Sequence, residues 1–103
     1  MNKSFFALAT IAVASASMPV WADLPLATSK NCMACHALDK RIVGPAYKDV
    51  AAKYAGDKTA ADRLATKIQK GGGGVWGPMP MPANTQVSDA EAKKLAAWVL
   101  TIK

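Results

Sequence analysis

A chain of 103 residues, 51% of them apolar, 19% charged and with a formal charge of +6, is long enough for one globular domain and too short for two. Its two cysteines, Cys32 and Cys35, lie too close together to staple a fold, and its lysines are scattered rather than interleaved with aromatics, which argues against a nucleic-acid groove. The excess of positive charge suits partners that are acidic and met by diffusion.

Residues 1–22 read as a secretion signal rather than as fold. Lys3 supplies the charged start, residues 5–13 form an apolar run too short to span a bilayer, and Val20-Trp21-Ala22 ends in the small residue that cleavage needs. The expected mature domain is 23–103. It loses only Lys3, keeps twelve basic against seven acidic residues, and so carries a formal charge of +5. With 81 residues and no disulfide framework, an apolar core alone would be marginal, so a bulky cofactor is expected to complete it.

No segment after residue 22 alternates like a strand, whereas Ala, Leu, Lys and acidic residues recur at helical spacing, so the domain is expected to be all-α with about four helices. The first is predicted over 24–35, with Asp23 as N-cap and Pro25 in the first turn. The second covers 47–54 and stops at Gly56. The third covers 59–69, with Leu64 and Ile68 on one face, and ends at Gly71. The fourth begins at the capping box Ser88-Asp89-Ala90-Glu91 and places Leu95, Trp98, Val99 and Ile102 at i, i+3, i+4 and i+7, with Trp98 expected to pack the last helix on the first.

Between the third and fourth helices, four glycines lead into Val75-Trp76-Gly77-Pro78-Met79-Pro80-Met81-Pro82. Glycines give freedom and the prolines then remove it, as a chain needs in order to wrap a rigid object and present a side chain to it. The glycines themselves read either as a mobile entry or as a neutral spacer.

The segment Cys32-Met33-Ala34-Cys35-His36 reads as a c-type haem attachment motif. On a helical turn i, i+3 and i+4 share one side, so two thiols can reach the two vinyl groups while the adjacent imidazole meets the iron. A thioredoxin-like dithiol would need an α/β fold, and a zinc site would need further Cys or His ligands that the mature chain lacks. His36 is the only histidine, which excludes bis-histidine ligation within one chain. Met79 and Met81 are the candidates for a sixth ligand, because Met1 and Met18 leave with the signal and Met33 lies inside the attachment loop.

Together with Val43-Gly44-Pro45-Ala46-Tyr47 and Ala97-Trp98-Val99-Leu100, these segments closely resemble the small bacterial class I cytochromes c of the c-551/c-552 type, over essentially all of 23–103. The resemblance implies a small cytochrome c fold around one covalently bound haem c, with Cys32 and Cys35 as attachment points and His36 and Met81 as axial ligands. It implies that the Pro45 carbonyl accepts a hydrogen bond from His36, that Trp76 donates its indole N–H to a propionate, and that Asn84 hydrogen-bonds near the Met81 sulfur. Two positions depart from the pattern. Ala83 stands where many relatives have a second proline, and Lys67 stands where some carry a propionate-binding arginine, offering a point charge in place of a fork.

The function expected is that of a periplasmic monohaem electron carrier between respiratory redox proteins, not an enzyme. It would be a monomer without a membrane span in its mature form, docking transiently through its positive surface on a quinol-oxidising complex, a terminal oxidase or a nitrite reductase. The alternative is a haem sensor or minor peroxidase-like enzyme with a displaceable sixth ligand, although there is no second histidine to act as acid or base.

Overall fold

The computed structural model describes residues 22–103, so the expected signal lies almost wholly outside the described residues. Four α-helices are present among them: α1 (Leu24–Ser29), α2 (Tyr47–Lys53), α3 (Ala60–Lys70) and α4 (Asp89–Val99). No helix among the described residues is long and apolar enough to cross a membrane.

The first helix departs from expectation, because it does not run on to residue 35. Lys30 ends α1, Asn31 takes a left-handed conformation with φ of 64°, and a short 3-10 turn then covers Cys32–Ala34. Asparagine tolerates that region better than most residues, and one such residue is enough to stop the helical hydrogen-bond ladder. Asp23 does stand at the N-cap position, and its carbonyl accepts from the Ala27 N–H at 3.0 Å, but its side chain makes no cap bond. That carboxylate is 2% exposed and pairs with Lys94 at 3.3 Å.

At α4 the local sequence dictates a firm start. The Glu91 N–H donates to the Ser88 hydroxyl at 3.2 Å, and the Ser88 N–H donates to the Glu91 carboxylate at 3.0 Å, which satisfies two otherwise orphaned donors. The helix then buries Ala92, Leu95, Ala96, Trp98 and Val99 along one stripe, packed chiefly against α3. Trp98 and Leu95 are the largest fully buried side chains. The Trp98 ring meets Tyr47 of α2 edge-on, with centroids 5.6 Å apart. The end of α1 is tied to this region by Lys30, whose Nζ donates to the Gln86 carbonyl at 3.1 Å and pairs with Glu91 at 3.2 Å.

Many of the remaining apolar side chains, among them Leu64, Ile68 and Trp76, are only partly buried against this core. They face a cleft rather than one another. A domain of this size has little surplus apolar area to leave unburied, so the cleft marks where another apolar body belongs.

Candidate haem site

The cleft encloses about 1070 Å³ of atom-free space, part of it continuous with solvent. Two long loops and three helices supply its lining. The segment from Cys32 to Tyr47 contributes two thiols, an imidazole and Val43-Gly44-Pro45. The segment from Gly72 to Pro82 contributes Trp76, Met79 and Met81, and α3 contributes Leu64, Lys67 and Ile68. Of the predicted site residues, Cys32, Cys35, His36, Pro45, Lys67, Trp76 and Met81 therefore share one cavity.

The attachment segment is shaped by its 3-10 turn. The Cys32 carbonyl accepts from both the Cys35 N–H at 3.2 Å and the His36 N–H at 3.1 Å, which keeps all three side chains on one short arc. Both cysteines are unpaired and half-buried. Burial pushes the Cys32 thiol above its ordinary pKa, with the nearby Tyr47 hydroxyl opposing that rise. Burial also holds the Tyr47 phenol well above the usual range, so this hydroxyl remains a donor.

His36 is fixed on three sides. Its Nδ1 lies 2.8 Å from the Pro45 carbonyl oxygen, and because a carbonyl can only accept, Nδ1 is the donor, so the neutral tautomer selected here has its lone pair on Nε2. Its ring stacks on Tyr47 with centroids 4.8 Å apart and planes 20° apart. Gly44 closes the third side: a Cβ there would sit 2.6 Å from the imidazole Cε1, closer than any side chain could be accommodated. A ring held this way presents one nitrogen in one direction.

The methionine loop is anchored at its neck. Gly72 and Met81 exchange a pair of backbone hydrogen bonds, Gly72 N–H to Met81 O at 3.0 Å and Met81 N–H to Gly72 O at 2.8 Å. At Gly72 the glycine run is thus bonded to the methionine-bearing segment. Gly71 has φ of 71°, and a Cβ on it would meet the Met81 carbonyl at 2.5 Å, so only glycine lets the two segments approach. Met81 is half-buried, whereas Met79 is 63% exposed at the rim.

The Asn84 amide donates to the Ile68 carbonyl at 2.8 Å and to the Pro82 carbonyl at 3.3 Å. With its own N–H also on the Ile68 carbonyl at 3.1 Å, Asn84 holds the exit of the loop against the end of α3, outside the cleft lining.

Trp76 lies in the cleft with its ring 5.7 Å from the Lys53 ammonium, and no acceptor for its indole N–H is found among the described residues. Lys67 reaches the same cleft from the last turn of α3. Sequence reading missed the parts played by Gly44 and Arg41, although a glycine directly before Pro45 was a visible sign of close approach.

A large, mostly apolar cleft with two thiols, one imidazole nitrogen free to coordinate and a soft thioether fits an iron porphyrin: apolar walls suit the ring, thiols suit vinyl addition, and N and S donors suit the iron. Comparison with known proteins agrees. Residues 26–103 match the cytochrome c family. The chain is 54% identical over 101 residues to cytochrome c-552 of Hydrogenobacter thermophilus, covering 98% of this chain and 99% of that one. It is 58% identical over 85 residues to cytochrome c-551 of Pseudomonas aeruginosa, covering 81% of each. The crystal structure of wild-type Nitrosomonas europaea cytochrome c552 superposes with a TM-score of 0.77 at 57% identity, covering 79% of this chain and all of that one. The chain belongs to the cytochrome c family and is a haem-binding electron carrier of the c-551/c-552 kind.

Proposed function

We propose that residues 1–22 direct the chain to the periplasm and that the mature carrier uses Cys32 and Cys35 to attach haem, His36 and Met81 to ligate its iron, and Trp76 and Lys67 to hold a propionate. The observation that carries this reading is the meeting of these side chains around one cleft. When bound, the haem supplies a single site that takes up and releases one electron.

The protein's own residues determine how easily that happens. The Pro45 carbonyl selects the tautomer with the proton on Nδ1, which leaves the Nε2 lone pair of that tautomer for the iron. A thioether at the sixth position favours the reduced state and raises the potential. Loops pinned at Gly72–Met81 and at Asn84–Ile68 keep both ligand sides in place, so little reorganisation accompanies each transfer. Apolar walls exclude water from the centre.

Val43, Val75 and Met79 both line the cleft and stand exposed, forming an apolar rim, with Ile42 exposed beside them. Arg41, Lys40 and Lys53 lie exposed on the segments around it. This rim is the expected docking contact for a quinol-oxidising complex as donor and a terminal oxidase or nitrite reductase as acceptor, with the net positive charge steering encounter. A spectroelectrochemical titration of the haem-loaded protein tests the reading. A single reversible one-electron wave is expected, whereas ready carbon monoxide binding by the untreated ferrous protein would contradict it.

A further inference from the structure

We propose that Arg41 is a positioning residue that latches the methionine-bearing loop to the histidine-bearing loop and so sets how often Met81 can leave its place. This rests on the reading of Met81 as the sixth ligand. Arg41 follows His36 by five residues, and the two form an isolated antiparallel backbone bridge, so the arginine is fixed to the backbone that carries the imidazole. Its guanidinium Nη2 donates to the Trp76 carbonyl at 2.9 Å, across 35 residues of sequence. The same nitrogen rests against Gly77, where an added Cβ would lie 3.5 Å away.

The loop from Gly72 to Met81 thus has two ties of different kinds. The neck is closed by the paired backbone bonds between Gly72 and Met81, and the middle is held by Arg41 on the Trp76 backbone, with Lys53 over the Trp76 ring at 5.7 Å. If the neck were the only tie, the middle could swing about its glycines and draw Met81 away. Arg41 opposes that motion by joining the two loops that line the cleft. The bond is charge-assisted but exposed to water, so removing it should raise the open population about 5-fold, equivalent to roughly 1 kcal/mol. A lysine keeps the charge but loses the planar fork that reaches a carbonyl while lying on a glycine.

The test uses haem-loaded ferric protein with imidazole as an exogenous ligand, at a pH where imidazole is neutral and indifferent to a changed surface charge. At saturating imidazole the limiting rate reports Met81 release. Arg41→Gln is expected to raise it about 5-fold and to speed hydrogen exchange of the Met81 amide by a similar factor, with Arg41→Lys giving at least half of the effect. Lys40→Gln, the same charge change on the neighbouring exposed residue, is expected to leave both quantities unchanged. Wild-type values in both Arg41 variants, or an equal rise in Lys40→Gln, would overturn the latch. Failure of the ligand assignment is separable, since Met81→Ala would then leave the wild-type spectrum intact while amide exchange still reports on the loop.

Discussion

Replacing Gly44 by alanine probes the histidine environment with the smallest possible change. Gly44 does not require a left-handed backbone, so the added methyl acts through space alone, and it would sit 2.6 Å from His36 Cε1, 3.0 Å from Nδ1 and 3.1 Å from Nε2. Ordinary contact requires a retreat of about 1 Å, and the ring cannot make it freely because Nδ1 is bonded to the Pro45 carbonyl at 2.8 Å and the ring is stacked on Tyr47. Overpacking costs about 1–3 kcal/mol and loss of the Nδ1 bond about 1 kcal/mol more, giving about 2–4 kcal/mol in total. For a domain of this size that lowers Tm by about 10–25 °C. Thermal melting of the haem-loaded protein, followed by far-UV circular dichroism, measures the shift. Gly56→Ala is the control: its φ of 78° makes it cost about 1 kcal/mol from backbone strain, with nothing within 4 Å to strike. If Gly44→Ala melts no lower than Gly56→Ala, the wedge between Gly44 and the imidazole is not what holds the ring.

Two further outcomes are expected. The Glu91 carboxyl is held below its ordinary pKa first by the Ser88 N–H and then by Lys30, and Asp57 is held low by Thr59 and Arg63. A lowered folded-state pKa stabilises the fold above the ordinary carboxylate range and loses that contribution as pH falls through the folded value, so urea midpoints should decline below about pH 4.5 and decline less in Glu91→Gln. The chain with Cys32 and Cys35 both replaced by serine, expressed without haem attachment, should lack a cooperative thermal transition, because the cleft then stays unfilled; native-like melting would refute the haem's place in the core.

Features written in local chemistry were legible in the sequence. The Ser88–Glu91 box, the stripe ending in Trp98 and Ile102, and the spacing of Cys32, Cys35 and His36 each depend on residues within a few positions of one another. The break at Asn31 was not legible, because a single left-handed residue leaves the apolar periodicity intact on both sides. Nor were the partners of Asn84 and Arg41, which bind the backbone carbonyls of Ile68 and Trp76, 16 and 35 residues away. A carbonyl has no residue identity, so no pattern of side chains announces that it will accept. The glycine run hid its role for the same reason: Gly71 and Gly72 serve by what they lack, and only the Met81 backbone lying against them shows why.

Absorption spectra of wild type, Met81→Ala and Met79→Ala in both redox states test whether the cleft would hold a six-coordinate haem between His36 and Met81. Sharp low-spin ferrous bands and a weak far-red ferric band are expected in wild type and in Met79→Ala, with loss of the far-red band in Met81→Ala alone. Loss of that band in Met79→Ala with Met81→Ala unaffected, or its absence from wild type, would rule out Met81 as the second iron ligand.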